Sequence, residues 1–332
     1  MSAPIAFAPL VRAFFTDHLL HQKQVSPQTI AAYRDAVRLL LAFLHQHRQV
    51  APEQVTLDHL DMPVILAFLD HLETDRHNSG RSRNARLAAL RSFFRFVAFR
   101  CPERLDATTR ILAIPRKKTT RRVVHYLTRE EMKALLTTCD RGTWGGRRDH
   151  ALLLTLYNTG ARVSEIIALR RPQVRFGPST IVQLFGKGRK ERAVPLWART
   201  GRLLRAWFDE LGDAMPDLAF PNAHGTRLTR HGVAYLLRDL ATRARTTCPT
   251  LATKRVSPHV VRHATAMHLL QAGVDLATIA LWLGHERLET THLYLEADVE
   301  MKERALQHLP PLGPPARRFK ADKSLLGFLA SL

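Results

Sequence analysis

Four residues toward the end of this 332-residue chain have the types and spacing to act on a phosphate: His259, Arg262, His285 and Tyr294. Ser257-Pro258 reads as a helix start, because a serine oxygen can cap the free amides and proline suits the first helical position. His259 and Arg262 then share one face near the positive end of that helix, where free amides and the dipole favour an anion. His285 follows a glycine after the apolar run Val274 to Leu283, and Tyr294 stands nine residues further on. Each has a plainer reading: a solvated or ion-pairing His-x-x-Arg face, a Gly C-cap followed by a dipole-friendly histidine, and a half-buried aromatic. Only the ordered set points to chemistry.

The rest of the chain supplies further parts in order. YNTGARVSEIIAL contains Arg162 and Glu165, LFGKGRKERAVPL contains Lys187 and Arg189, SPHVVRH contains His259 and Arg262, LGH contains His285, and THLYLEAD contains Tyr294. This pattern resembles the tyrosine recombinase (phage integrase) family, with Xer-type recombinases nearest in length and wording. The resemblance is specific over Tyr126 to about Asp298 and rests on general helical pattern before that. It implies six catalytic residues, Arg162, Lys187, His259, Arg262, His285 and the nucleophile Tyr294, with Glu165 in support. It also implies site-specific DNA recombination through a 3′-phosphotyrosyl link, with neither metal nor other cofactor. Two rivals are an inactive architectural or regulatory DNA-binding protein of the same fold and a topoisomerase of type IB. Many relatives carry a histidine two residues beyond the tyrosine, where this chain has Glu296.

The residue types suit that reaction. A phosphodiester under attack gains negative charge on its non-bridging oxygens, and arginines donate paired hydrogen bonds to such oxygens while staying charged. Tyrosine, with a pKa of about 10, needs a cation field and a base, and His259 is the candidate base. His285 is a further donor, and Lys187 the candidate acid for the leaving 5′ oxygen. The chain lacks a clear carboxylate cluster for two-metal chemistry. Of five tyrosines, Tyr33, Tyr157 and Tyr235 lie in apolar or helical patterns that predict burial, and Tyr126 precedes a helix cap.

These residues need elements to hold them. Thr128 and Glu131 form a capping-box pattern. The apolar run Asp149 to Tyr157 predicts a helix ending at Gly160, with Arg162 on the next turn. Residues 180–196 change to a strand period around Gly-Lys-Gly-Arg, a hairpin signal that puts Lys187 near its tip. Without the resemblance, that tip is simply a basic turn. Leu203 to Leu240 predicts amphipathic helix broken around Pro216 to Thr226. The expected fold is mainly α with a small β-sheet or hairpin: an N-terminal helical, SAM-like core-binding bundle followed by an α+β catalytic domain.

Upstream, Ser26 to His45 and Pro63 to Leu72, capped by Asp61, carry apolar residues at helical spacing. In a third run from Ser82, Leu87, Leu90, Phe94 and Val97 form one stripe, with Arg83, Arg86, Arg91 and Arg95 on other faces. TTRILAIPRKKTTRRVV follows, with no helical period, and reads as an exposed linker whose Arg116, Lys117, Lys118, Arg121 and Arg122 could track a DNA backbone. A solvated arginine-rich face is the alternative reading. The expected domains are 1–105 (core-binding), 106–124 (linker), 125–308 (catalytic) and 309–332 (a tail that could dock on a neighbouring protomer).

Composition sets the outer bounds. Lys plus Arg number 50 against 29 Asp plus Glu, a net charge of +21, and 45% of residues are hydrophobic. Such a surplus points to a polyanionic partner, nucleic acid first. Three scattered cysteines with no C-x-x-C suggest neither disulfides nor zinc, which fits a reducing cytoplasm. The N-terminus reads as an ordinary first helix, not a signal peptide, and no apolar run reaches membrane-spanning length. The resemblance implies double-stranded DNA sites as partners, with a dimer per site and a tetramer in synapsis, and leaves room for accessory DNA-bending proteins.

Overall fold

A computed structural model describes residues 4–119, 125–186, 191–213, 215–285 and 291. The chain divides into two compact units, Met1–Arg121 and Arg122–Leu332. It is mostly helical, with one small antiparallel sheet.

The first unit opens with α1 (Phe7–Ala13), which widens into a π-helical run Phe14–Gln22. Helices α2 (Pro27–Arg48), α3 (Met62–Thr74) and α4 (Gly80–Arg100) follow, each with an oxygen cap from Ser26, Asp61 or Ser79 on its first turn. Proline at the start of α2 and α3 costs nothing, because the amide it lacks would have had no helical partner. The stripe of Leu87, Leu90, Phe94 and Val97 is buried against Leu40, Leu44, Ile65, Phe68 and Leu69. Two expectations need correcting here. Helix α4 starts at Ser79 and not Ser82, because the Ser79 hydroxyl accepts from the Ser82 amide. The segment read as lacking helical period begins with a helix, α5 (Leu105–Ala113), whose Thr108 and Ile111 are buried.

In the second unit, α6 (Arg129–Thr138) starts with the expected Thr128–Glu131 capping box. Helix α7 (Trp144–Thr159) runs through the core and stops at Gly160 in the left-handed region. After the short α8 (Val163–Ile166) come β1 (Val174–Arg175), β2 (Ile181–Phe185) and β3 (Glu191–Pro195), paired antiparallel in the order β1-β2-β3. Val182 faces Val194 and Leu184 faces Arg192 in the β2–β3 register. Helices α9 (Ala198–Leu211), α10 (Arg230–Ala244), α11 (Pro258–Gln271) and α12 (Leu276–Leu283) complete the unit. Among the described residues, no helix is long and apolar enough to cross a membrane.

Candidate active site

The last turn of α7 is where the other elements are fastened. Buried Asn158 donates to the Pro195 carbonyl at 3.4 Å, accepts from the Trp197 amide at 2.8 Å, and its own carbonyl takes the Trp282 indole N–H at 3.3 Å. Thr265 of α11 donates to the Tyr157 carbonyl at 2.6 Å. A single turn thereby fixes the end of β3, α11 and α12. Gly160 must be glycine for two reasons: φ is +58°, and an added Cβ would meet the Leu283 side chain at 2.4 Å.

The opposite wall is the C-terminal end of α12, whose carbonyls need partners. Gly284 turns left-handed there, and its amide and that of His285 fold back to Leu281 and Ala280 at 3.1 and 2.9 Å, a Schellman ending. The next three carbonyls each receive an arginine. Trp282 accepts from Arg192 Nε at 2.9 Å, Leu283 from Arg262 Nη2 at 2.7 Å and Gly284 from Arg162 Nη2 at 3.0 Å. Arg262 also donates from Nη1 to the Gly160 carbonyl at 2.5 Å, tying α11 to the α7 turn. Cations at the negative end of a helix are electrostatically favoured, so Arg162 and Arg262, a hundred residues apart in sequence, converge on adjacent peptide units.

Glu165 holds this arrangement together. Its side chain is 2% exposed, and it takes the Arg162 amide (2.8 Å) and Arg192 Nη2 (2.8 Å) on Oε2 and Arg162 Nη1 (2.9 Å) on Oε1. Burial works to raise its pKa, but the bonds and charges of Arg192 and Arg162 hold the carboxyl below its ordinary range, so it stays ionised.

The histidines lie in the same cationic field, which for a base favours the uncharged form. His259 is exposed at the N-terminal turn of α11, and partial desolvation, then Arg262 and Arg162, lower its pKa. His285 is half-buried and hydrogen-bonded to Thr291 Oγ1 at 2.8 Å; burial, then Arg262, Arg162, His263 and Arg192, take it down to about 4. His263, one turn beyond His259, falls to about 4 through burial, His259 and Arg262. All three imidazoles are therefore neutral at pH 7 while the guanidiniums keep their charge.

Of the six residues expected to be catalytic, four are brought together where the α7 turn, the start of α11 and the end of α12 meet: Arg162, His259, Arg262 and His285. Lys187 and Tyr294 lie outside the described residues, as do Arg189, Glu296 and the tail. Two residues were missed. Arg192 sits on β3 between exposed Glu191 and Ala193, on the same face as buried Val194, and an arginine on the inward side of a strand requires an acid. His263 carries no comparable signal, since its position in an apolar helix reads as packing. One tyrosine expectation fails: Tyr235 is 67% exposed on α10.

In the first unit, Arg95, Arg116, Lys117 and Lys118 are exposed, and Arg121 and Arg122 lie outside the described residues. Arg83 does not fit a surface role, because it is 3% exposed and its Nε lies 3.2 Å from Glu73. Lys117 reaches the same carboxylate at 2.6 Å, and Asn84 bonds its backbone at 2.8 and 3.1 Å, so this stretch is pinned to α4. Arg86 donates weakly to the Ala32 carbonyl at 3.4 Å. Arg91 donates to the Ile114 carbonyl, and burial, then the cations Arg95 and Arg116, lower its pKa, so these three form one cationic cluster.

Two guanidiniums and three neutral imidazoles thus lie close together next to a small antiparallel sheet, and comparison with known proteins identifies the family. The phage integrase family matches residues 125–301, and its N-terminal SAM-like domain matches residues 13–100. A Sinorhizobium fredii protein named as an integrase/recombinase, y4rC, is 47% identical over 332 residues, covering 100% of both chains. Tyrosine recombinase XerC of Pelobacter propionicus is 32% identical over 299 residues, 87% of this chain and 91% of that one. The crystal structure of XerH recombinase bound to difH in a pre-cleavage complex shares the fold, with a TM-score of 0.65 at 22% identity over 84% of this chain and 79% of that one. The chain belongs to the phage integrase family and is a site-specific recombinase of the tyrosine class.

Proposed function

We propose that the hollow between the α7 turn and the end of α12 receives the phosphate of a DNA strand, with Arg162 and Arg262 on its non-bridging oxygens and His285 as a further donor. The observation that carries this is the seating of the two guanidiniums on successive carbonyls, Leu283 and Gly284. That seating holds them in place before any substrate arrives, and preorganised charge is generally the largest catalytic contribution.

In this reading the Tyr294 hydroxyl attacks phosphorus and passes its proton to His259. The tyrosyl oxygen–phosphorus bond forms as the bond to the 5′ oxygen breaks, and Lys187 protonates the leaving oxygen. Glu165 positions Arg162. The link retains the ester's energy, so a 5′ hydroxyl from a partner duplex can reverse the step and exchange strands. The residues of 1–105 and 106–124 hold the duplex, with Arg86, Arg91, Arg95, Arg116, Lys117, Lys118, Arg121 and Arg122 as phosphate contacts, and Arg189 of the catalytic region adds another. Residues 125–308 carry the chemistry. The protein works in the cytoplasm as a dimer on each site and a tetramer in synapsis, with 309–332 docking on a neighbouring protomer, and accessory bending proteins are compatible with this. The sequence of the DNA site is defined by mapping the duplex it retains.

Incubation with nicked suicide duplexes from the DNA flanking its gene is the test. A covalent adduct formed by the wild type and absent in Tyr294→Phe is expected. Retention of the duplex with no adduct would overturn the reading in favour of an inactive binding protein, and relaxation of plasmids lacking paired sites would favour a topoisomerase.

A further inference from the structure

We infer that His47, His71 and Asp75, in the N-terminal unit, form a binding site for one divalent transition metal of borderline softness, such as zinc. His47 lies in the last turn of α2, His71 in the last turn of α3, and Asp75 caps α3. One donor atom from each lies within 4.8 Å of the other two.

The surroundings prepare the donors. His47 Nδ1 is 3.2 Å from the Phe43 carbonyl, a bond in which the ring donates and which leaves Nε2 with its lone pair. A backbone carbonyl on the far nitrogen is how metal-ligating imidazoles are commonly oriented. The Phe43 ring stacks on His47, with centroids 4.6 Å apart, and lies 5.3 Å from His71, which sets both imidazoles on one aromatic floor. The two imidazoles meet edge to face at 4.8 Å. His71 Nδ1 is 2.6 Å from Asp75 Oδ2, and Thr74 donates to the other Asp75 oxygen at 3.0 Å. In a chain with 50 Lys and Arg, the ion pair of Asp75 among the described residues is to a histidine and not to a permanent cation. The carboxylate is thereby left to an ion that can replace the shared proton.

Two imidazoles and a carboxylate without thiolate suit zinc, cobalt, nickel or copper ahead of magnesium or calcium, which want oxygen alone. A tetrahedral ion at about 2.0–2.1 Å from nitrogen draws its donors to roughly 3.4 Å apart. His47 and Asp75 are exposed, so the His47 ring is able to rotate inward and the Asp75 carboxylate to swing outward from its 2.6 Å contact with His71, with water in the fourth position. The bound ion would clip the end of α2 to the end of α3. This inference does not depend on the recombinase reading, because metal uptake is measured without DNA.

The test is calorimetric titration of the full, untagged chain with zinc alone, with thermal unfolding alongside to verify folding. The expected result is one zinc per chain, bound at least about tenfold more weakly in His47→Ala, His71→Ala and Asp75→Asn and unchanged in His21→Ala, an exposed histidine elsewhere in the unit. Zinc should raise the unfolding midpoint of the wild type and not of the three variants. Absence of uptake by the wild type, or wild-type affinity in either His47→Ala or His71→Ala, overturns the inference.

Discussion

Arg192 Nη2 lies 2.8 Å from Oε2 of Glu165, so the carboxylate that orients Arg162 is shared with β3, 27 residues further along the chain. The Glu165 side chain is 2% exposed and that of Arg192 10%. Removing Arg192 leaves the buried carboxylate with Arg162 as its remaining cation, and losing a charge-assisted hydrogen bond typically costs about 1.5–3 kcal/mol. Arg192→Met should therefore lower stability by about 1.5–3 kcal/mol in denaturant titration and also leave the Trp282 carbonyl without its donor. Adduct formation on suicide DNA should fall as Arg162 loses its fixed orientation. Adding Glu165→Gln removes the carboxylate charge and should recover about 1–3 kcal/mol of coupling. Additive effects of the two substitutions would show that the bridge does not carry this energy.

Gly160 combines a left-handed backbone with a close neighbour, Leu283, whose carbonyl accepts from Arg262. Gly160→Ala should cost about 1–2 kcal/mol for the backbone and about 1–3 kcal/mol more for overpacking. Because α12 must yield to the new methyl, the Arg262 seat shifts with it, and strand cleavage should fall further than DNA affinity does. Gly273, also at positive φ (+86°) but with nothing within 4 Å of an added Cβ, is the control: Gly273→Ala should pay a backbone cost without the overpacking.

The helices were legible in the sequence wherever a cap preceded an apolar period, as at Ser26, Asp61, Thr128 and Ser257, because those signals are local. The hairpin was legible from its change of period. The arrangement of Arg162 and Arg262 was not, since both rest on carbonyls of a helix end more than a hundred or twenty residues away, and backbone oxygens leave no mark on residue type. Arg83 misled for a related reason: a basic composition does not reveal that a buried guanidinium is held by Glu73. Tyr235 was misjudged because a helical pattern gives periodicity without showing which face another element covers.

Imidazoles held neutral by burial and cations make stability depend on pH. His263 and His285 have folded pKa values of about 4 against the ordinary 6.5, so between these values the unfolded chain binds more protons. Their contribution is complete above about pH 6.5 and is lost as pH falls toward 4. His150, His259 and His268 shift in the same direction. Each pKa unit corresponds to at most about 1.4 kcal/mol, and solvent screening reduces this for half-buried rings, so a loss of roughly 1–3 kcal/mol is expected across the window. Thermal unfolding between pH 7 and pH 4.5 measures it, and His263→Gln should flatten the slope. An unfolding midpoint constant over that range would show that neither burial nor the cations hold these rings neutral.

Arg95 and Arg83 are one helical span apart on α4, yet one is exposed and the other buried against Glu73. DNA affinity should fall steeply with salt, because each neutralised phosphate releases condensed counterions. Arg95→Ala should weaken binding of all sequences alike and reduce the slope of log affinity against log salt by about 1. Arg83→Ala should leave that slope unchanged and instead lower stability, since Glu73, with its side chain 21% exposed, would keep only Lys117. Fluorescence anisotropy at several salt concentrations, together with denaturant titration, separates the two. If Arg83→Ala were to change the slope as Arg95→Ala does, the guanidinium would have to leave its buried pair with Glu73 on meeting DNA, and α4 would have to repack when the duplex binds.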